Sequence, residues 1–273
     1  MLCELTLGYE CNQRCSYCAL SSVKNINLKK EKIPLMDIIN FIKKTDVTEI
    51  RFTGGEPLLY AKEIILIIQN LRPKITFHIV TSLTLWNSTI ETMFKLLANY
   101  SKKYISVSLD NIVSTKERNI EGVLDNINKL IKLGIKPTIN RVLTKESIKS
   151  YKETSEYFKN LGLRIYDNQL EFFDKTKEII YFNSRKIKEK DCFGNRIAID
   201  CNGIIGICRC MNTFNYSSNI NIYNSIEEIE KYIKETKNNF ILKMQKLNLQ
   251  KFNNCIFNYL YYKNRKEINY DKS

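Results

Sequence analysis

Three thiols stand close together at Cys11, Cys15 and Cys18. Thiolates on one short loop can satisfy three irons of a four-iron cubane and leave the fourth open to a ligand that is not protein. The Cys-x3-Cys-x2-Cys spacing differs from the Cys-x2-Cys-x2-Cys run of ferredoxins and from paired Cys-x2-Cys zinc sites. A structural zinc knuckle is the competing reading, but no histidine or fourth nearby cysteine completes one. A second pattern is Phe52-Thr53-Gly54-Gly55-Glu56-Pro57. Its glycines permit close backbone approach, and Glu56 with the neighbouring backbone offers acceptors for an ammonium group. Taken alone, that run is only a turn.

The nine cysteines fall in two groups. Cys3, Cys11, Cys15 and Cys18 open the chain, Cys192, Cys201, Cys208, Cys210 and Cys255 lie near its end, and none falls between 19 and 191. In a reducing compartment such crowding argues for metal or redox chemistry over structural disulfides. Cys3 reads as core and Cys201 as part of a turn. His78, the single histidine, alternates with Phe77 and Ile79 in a strand and reads as a buried structural residue.

The elements that must position these groups alternate. Short β-rich runs are expected at 5–7, Glu49–Thr53, 75–81, 104–109, 137–142 and 170–173, with amphipathic helices between them. Pro34 is expected to open the first helix at its first position, with Leu35, Ile38, Ile39 and Ile42 on one face. Further helices are expected around 64–71, 89–97, 123–131 (stopping at Gly134) and 147–161. Such a βα rhythm is the pattern of parallel units. Right-handed crossovers roll six of them into an α/β fold, a partial (β/α)6 TIM-like barrel open at one side. After about residue 175 the rhythm changes. A hairpin, 196–199 and 204–208, flanks Asp200-Cys201-Asn202-Gly203, a turn composition, and helices follow at 225–237 and 240–247. The expected organisation is a barrel core over 1–175 and a small second domain over 176–273.

With the cysteine loop leaving the first strand and the Gly-Gly-Glu-Pro run ending the second, the sequence resembles the radical S-adenosylmethionine (radical SAM) superfamily. The match lies in Cys11-Asn12-Gln13-Arg14-Cys15-Ser16-Tyr17-Cys18 and in Gly54, Gly55, Glu56 and Pro57. The resemblance implies a 4Fe–4S cluster on the three cysteines, with S-adenosylmethionine on its open iron. It also implies cofactor contacts from Tyr17, from the Gly54–Pro57 run that holds the methionine amino group, and from Ser108, Asp110, Asn140 and Leu143 at the ends of strands four and five. A side chain added at Gly55 is expected to block the cofactor's methionine end while sparing the cluster. Thr81-Ser82-Leu83 departs from the Thr-Asn-Gly usual in relatives. Cys192, Gly203, Cys208 and Cys255 resemble the twitch domain, the shorter relative of SPASM extensions. That resemblance implies an auxiliary 4Fe–4S cluster, with Cys210 as a candidate fourth ligand or, without it, an iron open to substrate. Relatives often show Cys-x2-Cys at the end, but Asn258 follows Cys255 at that spacing, and a zinc site or free thiols remain the alternatives.

Composition narrows the rest. Hydrophobic residues at 44% and charged residues at 26% exclude a disordered chain, and the apolar runs are too short to span a bilayer. The start lacks the features of a signal peptide, so a cytoplasmic enzyme is expected. The formal charge of +14 is almost all lysine, spread along a chain also rich in isoleucine and asparagine. AT-rich coding accounts for that, and nucleic acid is not the expected partner. Only the tail from 243 to 273, with seven basic and two acidic residues, stands out. Radical SAM relatives with twitch or SPASM domains oxidise or cross-link ribosomal peptides, oxidise sugar alcohols, or rearrange nucleotides. The leading expectation is an oxidoreductase that matures a ribosomally made peptide, reduced by a flavodoxin or ferredoxin. The alternatives are a small-molecule dehydrogenase or cyclase and, remotely, a non-catalytic electron carrier.

Overall fold

The computed structural model describes residues 1–15, 18, 32–71, 74–114, 119–169, 194–213 and 220–246. Six parallel strands run in chain order: β1 (Leu2–Thr6), β2 (Glu49–Thr53), β3 (Thr76–Thr81), β4 (Lys103–Ser108), β5 (Thr138–Leu143) and β6 (Arg164–Gln169). β7 (Arg196–Ile199) pairs parallel to the free side of β1, and β8 (Ile205–Gly206) pairs antiparallel to β7, giving the order β6-β5-β4-β3-β2-β1-β7-β8. The hairpin therefore extends the barrel sheet instead of packing on it as a separate layer. The boundary expected at residue 175 lies outside the described residues.

Strand parity explains the core. Cys3, Leu5, Ile50, Phe52, Phe77, Ile79, Ile105, Val107 and Ile139 alternate onto one face and are all buried. Helices cover that face: α1 (Leu35–Lys43), α2 (Ala61–Asn70), α3 (Ser88–Ala98) and α4 (Val123–Lys132). Phe52 stacks on Phe77 with ring centroids 6.3 Å apart, and Phe77 meets Tyr100 edge-on at 5.3 Å. Cys3 belongs to this core, as expected, and burial pushes its thiol far up. The opposite face of the strands lines the lumen and is polar.

The main departures from the sequence reading have local causes. Pro34 precedes α1 with an extended ψ of 131° and acts as its N-cap position. The helix expected at 147–161 is two, α5 (Lys145–Lys149) and α6 (Tyr151–Asn160), because Thr144 and Ser147 form a reciprocal capping box that starts a helix early. Strand six comes earlier than 170–173, which lies outside the described residues. Arg164, Asp167 and Asn168 hid its β character, yet Arg141, 1% exposed, reaches from β5 to Asp167 with a 2.7 Å bond. The two C-terminal helices are one, α8 (Ile226–Lys246), capped by Ser225 and Glu228 through mutual hydrogen bonds of 3.2 and 2.9 Å. No helix among the described residues is long and apolar enough to cross a membrane.

Candidate active site at the mouth of the half-barrel

The cysteine loop leaves β1, and the Gly54–Pro57 run leaves β2 beside it. Two hydrogen bonds zip them together: Gly55 N–H donates to Gly8 O (3.2 Å) and Glu56 N–H to Glu10 O (2.9 Å). Gly54 adopts φ +119°, and a Cβ there would stand 2.6 Å from Gly8 O, so both backbone conformation and space require glycine. A Cβ at Gly55 would run into the backbone carbonyl of Glu10. Gly55 thus makes room for the cluster loop itself, beyond any room it leaves for cofactor.

Within the loop, Gln13 N–H donates to Cys11 Sγ (3.3 Å) and Cys18 N–H to Cys15 O (3.1 Å). Cys15 is buried and Cys11 and Cys18 are half-buried. An N–H aimed at sulfur is the donor that a thiolate ligand accepts, so the loop fits a thiolate-bound cluster. Among the described residues no three metal-ligating side chains are already gathered for a metal ion. Drawing the sulfurs together is then part of what binding does, and cluster binding contributes to folding there. Tyr17 lies outside the described residues.

Glu56 is 2% exposed. Its Oε1 accepts from Leu58 N–H (3.0 Å) and Thr81 Oγ1 (2.6 Å), its Oε2 from Ser82 N–H (2.8 Å) and Ser82 Oγ (2.6 Å). Four donors fill the roughly four lone-pair positions of a carboxylate. Glu56 therefore shapes the loop, and an ammonium there must share these oxygens or turn to the backbone. Asn12 Nδ2 ties the cysteine loop to Thr84 Oγ1 at 2.8 Å. Ser108 and Asn140 are register partners on β4 and β5, both half-buried. Asp110 is buried and accepts from Val142 N–H (2.8 Å), and Leu143, the last residue of β5, is buried as well.

The loop after β3 carries a strained residue. Leu83 has φ +56° and is fully buried, the one described non-glycine residue in that region. Its carbonyl accepts from Asn126 Nδ2 (3.0 Å) and its N–H donates to Thr81 Oγ1 (2.8 Å). Left-handed backbone costs a residue with a Cβ about 1–2 kcal/mol. Leu83→Ala and Leu83→Gly both lose the packing, about 2–5 kcal/mol. The further step from alanine to glycine ordinarily costs about 1 kcal/mol, but relief of the strain should cancel it here. Urea unfolding should place the two variants together; a clearly weaker glycine variant would show that Leu83 is unstrained.

Below the mouth, register aligns Glu4, Arg51, His78 and Tyr104 across four strands. Arg51 lies 3.6 Å from Glu4 and 3.4 Å from Glu49, and its Nε–H donates to His78 Nδ1 at 3.0 Å. His78 Nε2 sits 2.8 Å from Ser106 Oγ. A donor on Nδ1 places the ring proton on Nε2, which then donates to Ser106. Arg209, between Cys208 and Cys210, sends its backbone N–H to Glu4 (3.2 Å) and its Nη1 to Thr53 Oγ1 (2.7 Å). Sequence reading passed over Glu4, Arg51 and Arg209. For Glu4 and Arg51 the available signal was charge at alternate positions inside otherwise apolar strands; Arg209, at the start of a short helix, carried no such signal.

Burial, then Arg51, pulls His78 down from 6.5 to about 4. The unfolded chain thus binds the proton first as pH falls, and folded-state stability is lost between pH 6.5 and 4. The slope is up to about 1.4 kcal/mol per pH unit. In chemical denaturation, His78→Gln should flatten this window, and an unchanged slope would overturn the assignment.

Cys201 on the hairpin turn is buried, and burial followed by Asp200 raises its thiol to about 11. Tyr9 Oη donates to Asp200 Oδ2 (3.4 Å), setting that turn against the approach to Cys11. Cys208 is buried at the start of α7 (Arg209–Thr213), which contains Cys210. Cys192 and Cys255 lie outside the described residues.

Residues 5–168 match the family described as the Radical SAM superfamily. A GTP 3',8-cyclase of Helicobacter pylori is 30% identical over 185 residues, covering 63% of this chain and 56% of that protein. One from Clostridium acetobutylicum is 31% identical over 153 residues, covering 52% and 47%. The chain thus spans about half the length of these curated relatives. Among solved structures, Streptococcus suis SuiB superposes with a TM-score of 0.64 at 16% identity, over 84% of this chain and 64% of that one. The structure of anSMEcpe with bound AdoMet gives 0.61 at 16%, over 82% and 78%. At these identities the likeness is one of fold.

Proposed function

Because the chain belongs to the radical SAM superfamily, we propose that it directs radical chemistry at an anionic small molecule, a nucleotide foremost, held in the lumen beneath the mouth. When bound, the 4Fe–4S cluster with S-adenosylmethionine would supply reductive radical chemistry for removing hydrogen from substrate. The protein's part is orientation and exclusion of water. Cys11, Cys15 and Cys18 would hold the cluster, the Gly54–Glu56 turn the methionine end, and Ser108 and Asn140 the nucleoside side.

The observation that carries the reading is the lumen's charge. Among the described residues, Arg51 pairs with Glu4 and Glu49 and Arg196 with Glu4, while exposed Arg209 reaches Thr53 Oγ1 with its guanidinium. Guanidinium groups bind carboxylate and phosphate in bidentate fashion, and Glu4 pre-sets two of the three. The cyclase relatives support the nucleotide in first place. Maturation of a ribosomal peptide is the second reading, favoured by Tyr166, 55% exposed on the lumen side of β6, the outermost strand among the described residues. A plain electron carrier has no use for the Gly54–Pro57 run. A flavodoxin or ferredoxin is the proposed reductant. A second 4Fe–4S cluster on Cys192, Cys208, Cys255 and Cys210 is proposed from the cysteine pattern and the hairpin.

The test is S-adenosylmethionine cleavage by reduced, reconstituted protein with each common nucleoside triphosphate. One of them should raise turnover at least about tenfold, and Arg51→Met or Arg209→Met should remove the increase, since a lost charged contact is worth about 1.5–3 kcal/mol. If no nucleotide stimulates and a short peptide encoded beside this gene does, the peptide reading replaces it.

A further inference from the structure

At the end of the sheet away from the cysteine loop, a cavity of about 440 Å³ opens between the end of α1, the start of β7 and one face of α8. Its size falls within the range of small-molecule sites. Phe41, Ile197 and Ile229 are buried and form an apolar floor, with Ile226 and Ile233 beside them. Four cationic side chains surround that floor, Lys44, Arg196, Lys234 and Lys237, against two carboxylates, Asp46, which lies 3.9 Å from the Met1 amino group, and Glu230. The spacing of Ile226, Ile229, Ile233 and Lys237 on α8 puts apolar and cationic groups on a single helix face.

We infer that this cavity is a second ligand site, for a small amphiphilic anion with an apolar body and one carboxylate or comparable head group. The apolar floor removes the body from water, and the cationic surplus receives the head. Without an anion the cations repel one another: burial and Arg196 both hold Lys237 below the usual lysine range, and its Nζ donates to Gly194 O at 2.9 Å. An anion relieves that repulsion. Arg196 lines the cavity and also stands 4.0 Å from Glu4, so one side chain is common to this site and the lumen.

The probe is decanoate, with neutral decanol as its uncharged counterpart, titrated calorimetrically into the reconstituted full chain. Decanoate should bind saturably and at least roughly tenfold tighter than decanol. Lys44 and Lys234 are both exposed, so the Lys44→Glu/Lys234→Glu variant should fold and lose that difference. If the pair does not fold by circular dichroism, Lys234→Gln should narrow the difference. Absence of saturable decanoate binding, or a difference that survives charge reversal, overturns the inference.

Discussion

Replacing Cys11, Cys15 and Cys18 together with alanine should reduce 5′-deoxyadenosine formation under dithionite to background. The three sulfurs lie on one loop that leaves β1, and the loop already directs a backbone N–H at Cys11 Sγ. Cys15 alone of the three is buried, and cysteine to alanine removes little volume, so the barrel should still fold and its far-ultraviolet spectrum should persist. Iron analysis of the same variant bears on the distal cysteines. About four irons per chain should remain if they hold a second cubane, and a value near zero would remove that cluster from the proposal. Undiminished cleavage by the triple variant would overturn the assignment of the first cluster itself.

The residues that a short motif fixes were legible without the structure. Spacing alone marked the cysteine loop, and the Gly-Gly-Glu-Pro run marked the end of β2. The hairpin around Asp200 to Gly203 was readable too, since Gly203 has φ +76° and Asp200 Oδ1 accepts from the N–H groups of Asn202 and Ile204. What the sequence hid depends on register. Glu4, Arg51 and His78 come from three strands separated by whole helices, and only parallel pairing sets them in one row. His78 reads as structural in isolation, yet in that row it passes a fixed orientation from Arg51 to Ser106. The departure at Leu83 was visible as an odd residue where relatives have glycine. Its cause is the clamp on Glu56: Thr81 and Ser82 bind that carboxylate, and Asn126 holds Leu83 in the left-handed conformation that follows.

Gly55→Val should reduce iron content and S-adenosylmethionine affinity together. The sequence expectation was that a side chain here obstructs only the methionine end of the cofactor. The structure places the Glu10 carbonyl where that side chain would begin. Glu10 immediately precedes Cys11, and the Glu56 N–H donates to the same carbonyl. Backbone cannot rotate away as a flexible side chain would. The collision must therefore separate the two loops, breaking the bonds from Gly55 to Gly8 and from Glu56 to Glu10. Overpacking of this kind costs about 1–3 kcal/mol, and here it falls on the segment that carries the first cluster ligand. Gly55→Ala should show the same pair of losses in smaller degree, because the first added carbon already meets the carbonyl. Anaerobic reconstitution followed by iron analysis, with calorimetric titration of S-adenosylmethionine, separates the possibilities. Full iron with weakened cofactor binding would mean that the loops move independently and that Gly55 serves the cofactor alone. Unaltered iron and affinity would mean that the loop does not lie where the structure puts it.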